Sequence, residues 1–177
     1  MRTKYNLLIK SLSNILSIKI ISFFQRLFDH LMGIGNDDVK NEVKHLTKIL
    51  NKDAKFIFDI GAGHGAYTEE LLTKYPDAYF FLFEPQKICY NYLLKKFKNN
   101  KKVKIYNLAI SNKITSTNLY FDIKGSGLAS LVKRNLNHHS TKFNKKEKVK
   151  TTTLVSFFND KFNKKNLKIS LCKLDIE

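Results

Sequence analysis

"FIFDIGAGHGAYTEELL", Phe56 to Leu72, sets a short apolar run against an acid and then three glycines separated by single residues. The run reads as a buried strand and "AYTEELL" as a helix. A glycine-rich turn between the two lets main chain approach a ligand closely, with a helix N-terminus behind it. The whole chain has only seven glycines, so three in five positions exceed what a plain tight turn asks for.

Two cofactor classes are held by turns of this kind. Gly61-Ala62-Gly63-His64-Gly65-Ala66 satisfies G-x-G-x-x-A, which a dinucleotide fold also uses. Asp59 argues against a dinucleotide, because a carboxylate at the strand tip would repel a pyrophosphate. The methionine part of S-adenosylmethionine carries an ammonium and a sulfonium, and an acid there is favourable. The spacing D-x-G-x-G-x-G from Asp59 to Gly65 is the form found in methyltransferases.

Outward from this stretch, "AYFFLFE" reads as a second strand, "QKICYNYLLKKF" as a second helix and "KVKIYNLAI" as a third strand. Such β-α-β-α-β alternation implies a parallel sheet with crossover helices. Glu84 ends the second strand, where a carboxylate can bridge the two hydroxyls of a ribose. Pro85 follows it and stops the strand from continuing with a donor. Farther along, "TSTNLYFDI" looks like an edge strand, residues 124–148 form a long polar stretch, "VKTTTLVSFF" resumes strand texture and "LKISLCKLDIE" reads as a last, buried strand.

"FIFDIGAGHGAYT", "FLFEPQKICYNYL", "VKIYNLAIS", "GSGLASL" and "KLDIE" stand in the order and spacing of the FkbM-type methyltransferases, which residues 55–177 resemble. The resemblance implies a class I, Rossmann-like α/β fold, S-adenosylmethionine as cofactor, and O-methylation of a sugar or related hydroxyl. It places Asp59, Gly61, Gly63, Gly65 and Thr68 around the methionine part, Glu84 on the ribose, and the turn from Asn107 to Ser111 beside the adenine. Three departures stand out: His64 replaces a smaller polar residue, Val155 replaces an acid, and the family continues past "DIE" with a glycine and three more strands.

The end of the chain bears on the acceptor. Enzymes acting on exocyclic base nitrogens carry an N-P-P-Y-like turn after the fourth strand, whereas the two prolines here are Pro76 and Pro85. "LDIE" offers Asp175 and Glu177 instead, which strand alternation sends to one face. These are the candidate catalytic acids, able to orient or deprotonate a hydroxyl; a solvated strand end is the plain alternative. Ending at Glu177, the sheet is expected in the order 3-2-1-4 with strand four as a bare edge. That is the expectation for a truncated family member with its nucleoside-binding half intact, and a non-catalytic fragment is the alternative reading.

Charge and composition narrow the partners. The chain has 32 Lys+Arg against 15 Asp+Glu, a formal net charge of +17. Its only arginines are Arg2, Arg26 and Arg134, and arginine is the residue of bidentate phosphate and base contacts. The scattered lysines therefore read as compositional habit, and a small-molecule or glycan acceptor is expected rather than nucleic acid. Cys89 and Cys172 make neither a disulfide framework nor a metal cluster, and His138-His139 sits in a polar stretch without partner ligands, so no metal is expected. A cytoplasmic location fits.

Residues 1–50 are expected to form a helical segment ahead of the domain at 55–177. Within residues 1–32, Leu8, Leu12, Ile15, Phe23, Leu27 and Leu31 recur at helical spacings, while Lys10, Lys19, Arg26 and Asp29 interrupt any membrane-spanning run. Packing on the domain is the plain reading, and peripheral contact with an anionic membrane is the sharper one.

Overall fold

The structure, a computed structural model, describes residues 39–133, 143–162 and 167–176. The expectations for residues 1–32, His138-His139 and Glu177 fall outside these. The chain divides into two compact units, residues 1–42 and 43–177; of the first, description begins at Val39. Helix α1 runs from Val39 to Leu46.

The second unit is built on a four-stranded parallel sheet: β1 (Phe56–Ile60), β2 (Tyr79–Phe83), β3 (Val103–Tyr106) and β7 (Leu171–Leu174), in the order β3-β2-β1-β7. This is the 3-2-1-4 order read from the sequence. Helix α2 (Ala66–Lys74) joins β1 to β2, and α3 (Lys87–Lys96) joins β2 to β3. The central strands β1 and β2 are apolar and buried on both faces, which is the pattern of a parallel sheet covered on both sides.

Period-two alternation assigns the faces. Phe56, Phe58, Ile60, Phe81 and Phe83 face α4 (Leu154–Phe162) and make an aromatic layer with it. Phe58 stacks on Phe81 at 4.8 Å, and Phe157 meets the rings of Phe83 and Tyr106 edge-on at 4.8 Å each. Edge-to-face contacts of this kind suit the ring quadrupole and add to simple burial. The opposite face carries Ile57, Asp59, Phe80 and Leu82, and there Thr68 of α2 bonds to Asp59.

A smaller sheet, β4-β6-β5, holds β4 (Ala109–Ile110), β5 (Thr115–Phe121) and β6 (Lys145–Thr152). The expected third strand is thus divided at Asn107 between two sheets. Its β3 half pairs with β2, and its β4 half pairs with β6. "LVSFF" is a correction: it is the first part of helix α4, not strand, because Leu154, Phe157, Phe158 and Phe162 recur at helical spacing against the sheet. Cys172 is a second correction. It is exposed rather than buried, because β7 pairs only with β1 among the described strands and so forms the edge of the sheet. Among the described residues no helix is long and apolar enough to cross a membrane.

Candidate functional site

In a parallel α/β sheet, ligands gather at the carboxyl ends of the strands, and here β1, β2 and β7 end together. The turn leaving β1 is anchored to its neighbour, since Gly61 and Ala62 donate their N–H groups to Phe83 O at 2.9 and 3.1 Å. Two glycines show what the turn is built for. A methyl group on Gly61 would lie 2.0 Å from Asp175 O, so that glycine lets the end of β7 pass against the turn. Gly63, at φ 54°, faces nothing within 4 Å, and the room above it is open. Gly65 has a third role, because a side chain there would strike Leu93 and Phe97 of α3.

Asp59 stands beneath this turn with 1% of its surface exposed. Its Oδ2 accepts a 2.7 Å hydrogen bond from the Thr68 hydroxyl, while Oδ1 is buried without a hydrogen-bond partner. Lys173 Nζ comes within 3.5 Å of that oxygen and donates to Asp175 Oδ2 at 3.1 Å. Burial pushes the Asp59 carboxyl above its ordinary range, against the opposing pull of the Lys173 charge and the Thr68 hydrogen bond. A buried carboxylate oxygen left without a donor is costly, by roughly 1–3 kcal/mol or more. It is also what a site awaiting a cationic ligand would contain.

Glu84 closes the other side. Its Oε2 accepts the N–H of Gly63 at 2.8 Å, and its Oε1 accepts that of Gln86 at 2.8 Å. Burial raises it to about 7, although both backbone N–H groups favour its charged form. Asn107 braces the same strand end, donating from Nδ2 to Glu84 O at 2.9 Å and to Pro85 O at 2.8 Å. Asp59, Gly61, Gly63, Gly65, Thr68, Glu84 and Asn107 are therefore drawn into one neighbourhood. Ser111 is tied elsewhere, its N–H to Thr152 O and its hydroxyl to Asn112. Asp175 lies just past β7, with its N–H on Ile60 O at 2.9 Å and its carboxylate largely exposed at the strand tip.

Two residues enter that sequence reading passed over. Lys173 is one. The other is Gln86, which is 4% exposed and clamps the loop after β5: its Oε1 accepts the N–H of Gly125 at 2.9 Å, and its Nε2 donates to Ser126 O at 2.8 Å. A methyl group on Gly125 would lie 3.6 Å from the His64 ring and 3.8 Å from Cys89 Sγ, so the docked loop runs close by both. Position was the one available signal for both, since Gln86 follows Glu84-Pro85 and Lys173 precedes Asp175 by two.

Among the described residues no group of three or more His, Cys, Asp and Glu side chains is placed to hold a metal. A cavity of about 500 Å³ lies at the amino ends of β1 and β7, lined in part by Ile49, Leu50, Ala54, Phe56 and Ile169. It is at the wrong end of the strands to serve the turn.

A comparison with the curated proteins gives no match. The family model described as Methyltransferase FkbM domain matches residues 59–177, from the acid beneath the turn to the end of the chain. With two-thirds of its length matched and the strand-end acids in place, the chain belongs to the FkbM methyltransferase domain family.

Proposed function

We propose that this chain is an S-adenosylmethionine-dependent methyltransferase whose acceptor is a hydroxyl of a sugar or a related small molecule. One observation carries the cofactor: Asp59 Oδ1 is buried and lacks a hydrogen bond directly beneath a turn whose central glycine opens on free space. That arrangement suits the ammonium end of an amino acid and opposes a pyrophosphate. Glu84, at the neighbouring strand tip, suits a ribose diol.

When bound, the cofactor supplies an electrophilic methyl on a sulfonium; the protein's task is alignment, since methyl transfer gains most from orienting nucleophile and leaving group. Asp59, braced by Thr68, would hold the amino-acid end, Glu84 the ribose, and the turn from Gly61 to Gly65 would form the main-chain wall between them. Asp175 would receive the hydroxyl proton. Its backbone abuts Gly61, its carboxylate is largely exposed at the β7 tip, and its Oδ2 accepts a 3.1 Å hydrogen bond from Lys173 Nζ. A carboxylate in that position serves as hydrogen-bond acceptor and general base toward a hydroxyl.

Calorimetry with S-adenosylhomocysteine tests the cofactor, with NAD as competitor. Micromolar binding that NAD leaves unchanged is expected, and displacement by NAD would sink the reading. Transfer of labelled methyl to a panel of glycan hydroxyls tests the chemistry. Binding without any transfer would make the chain a nucleoside-binding module.

A further inference from the structure

Lys173 stands near the turn, and the cofactor reading gives it no contact with the ligand. It pairs in register with Asp59 across β1 and β7, and parallel pairing puts the two side chains on the same face. Its side chain is 18% exposed, its Nζ sits 5.1 Å from the centre of the Tyr67 ring, and it donates one hydrogen bond, to Asp175. An ammonium has three N–H donors. Toward Asp59 Oδ1 it reaches 3.5 Å, an ion pair longer than the roughly 2.7–2.9 Å of a good charged hydrogen bond, so each group keeps capacity for a closer partner.

An opposed pair at this separation is matched to a zwitterion. An α-amino acid holds its ammonium and its carboxylate on one carbon. A ligand whose ammonium fills Asp59 Oδ1 therefore carries its carboxylate to within reach of a cation 3.5 Å from that oxygen. One ion pair is exchanged for two of the same net charge, so no uncompensated charge is buried in the exchange. The flanking charged groups are Asp59 on β1 and Asp175 after β7, and α2 presents Tyr67 and Thr68.

We propose that Lys173 is a donor-binding residue that recognises the α-carboxylate of the methyl donor, reading its amino-acid end together with Asp59. This rests on the cofactor reading above. It makes the pocket selective for nucleosides that keep the whole amino acid, against those trimmed to the thioether.

The test compares S-adenosylhomocysteine with 5′-methylthioadenosine, which keeps the nucleoside and lacks the amino-acid end, by calorimetry on the full chain. The unaltered protein is expected to favour S-adenosylhomocysteine by about 30-fold or more, in line with two added charged contacts. Lys173→Met should cut that preference about tenfold and leave 5′-methylthioadenosine within about twofold; Lys173→Arg should restore most of it. A Lys173 that merely neutralises Asp59 would weaken both ligands alike, and an unchanged preference in Lys173→Met would overturn the proposal. Should the variants fail to fold, the Lys173 Nζ resonance of the unaltered chain decides. It should move with S-adenosylhomocysteine and stay with 5′-methylthioadenosine, and equal movement with both would overturn the assignment. If neither nucleoside binds the folded, unaltered chain, the cofactor reading itself falls and takes this inference with it.

Discussion

The carboxylate of Glu84 accepts the backbone N–H of Gly63 at 2.8 Å, tying the tip of β2 to the middle of the turn that leaves β1. One side chain thereby does two things: it sets the height of the turn over the sheet, and it stands ready as an acceptor toward a ligand. Its protonation then bears on both the fold and the site.

The pH dependence of stability follows with a definite sign. Burial lifts Glu84 from 4.5 to about 7, so the folded chain keeps a proton there that the unfolded chain has already lost. The stabilisation is complete below the unfolded value and is lost as pH rises through about 7, a span worth up to about 3 kcal/mol. Melting temperatures at about pH 5 and about pH 8 should therefore differ more for the natural chain than for Glu84→Gln, which cannot titrate. Parallel pH curves for the two would refute the assignment.

Thr68→Val keeps the shape of a fully buried side chain and removes the donor to Asp59 Oδ2. Both carboxylate oxygens would then lack a hydrogen bond, at an expected cost of about 1–3 kcal/mol in denaturant unfolding. The cost should shrink in acid, where a protonated Asp59 needs the hydroxyl less. A loss independent of pH would show that Thr68 acts through packing alone.

The turn glycines should separate fold from binding. Gly61→Ala drives a methyl into Asp175 O and should lower the melting temperature sharply, since the obstacle is main chain. Gly63→Ala meets no atom and bears only the left-handed backbone cost of roughly 1–2 kcal/mol. Its larger effect should fall on S-adenosylhomocysteine affinity, by about tenfold or more, because the methyl enters the open space above the turn. The reverse ranking in calorimetry and thermal melts would contradict this division of roles.

Gln86→Leu should release the loop after β5. It leaves the N–H of Gly125 and the carbonyl of Ser126 without their partner. Amide exchange at Gly125 should accelerate about tenfold or more, the equivalent of losing one net hydrogen bond. Exchange at Phe80 and Leu82 in the central strands should stay the same. Unchanged protection at Gly125 would mean that other contacts hold the loop without the clamp.

The glycine turn and its two strand-end acids were legible in the sequence because each is a local event. An acid, a turn and a helix start follow one another within Asp59 to Thr68, and Glu84 ends the next strand. The parallel sheet was legible through the alternation of elements, whereas the strand order came from the family resemblance. Lys173 was not, since its meaning depends on register with a residue far back in the chain, and register is a tertiary property. Helix α4 was misread because its phenylalanines carry strand texture, and only the aromatic sheet face beneath it turns their spacing into a helical one. Asn107 shows the converse: it sits inside a run read as one strand, whereas its side chain braces the tip of β2 where that run divides between two sheets.

The abutment of Gly61 on the carbonyl of Asp175 works as a gauge made of main chain. Turn and strand tip are spaced by a contact that carries no side chain on the glycine side. Exchanging side chains around the pocket can retune charge and selectivity while that spacing stays put. On the function proposed above, new acceptors could thus be explored by substitution without resetting the spacing between turn and strand tip.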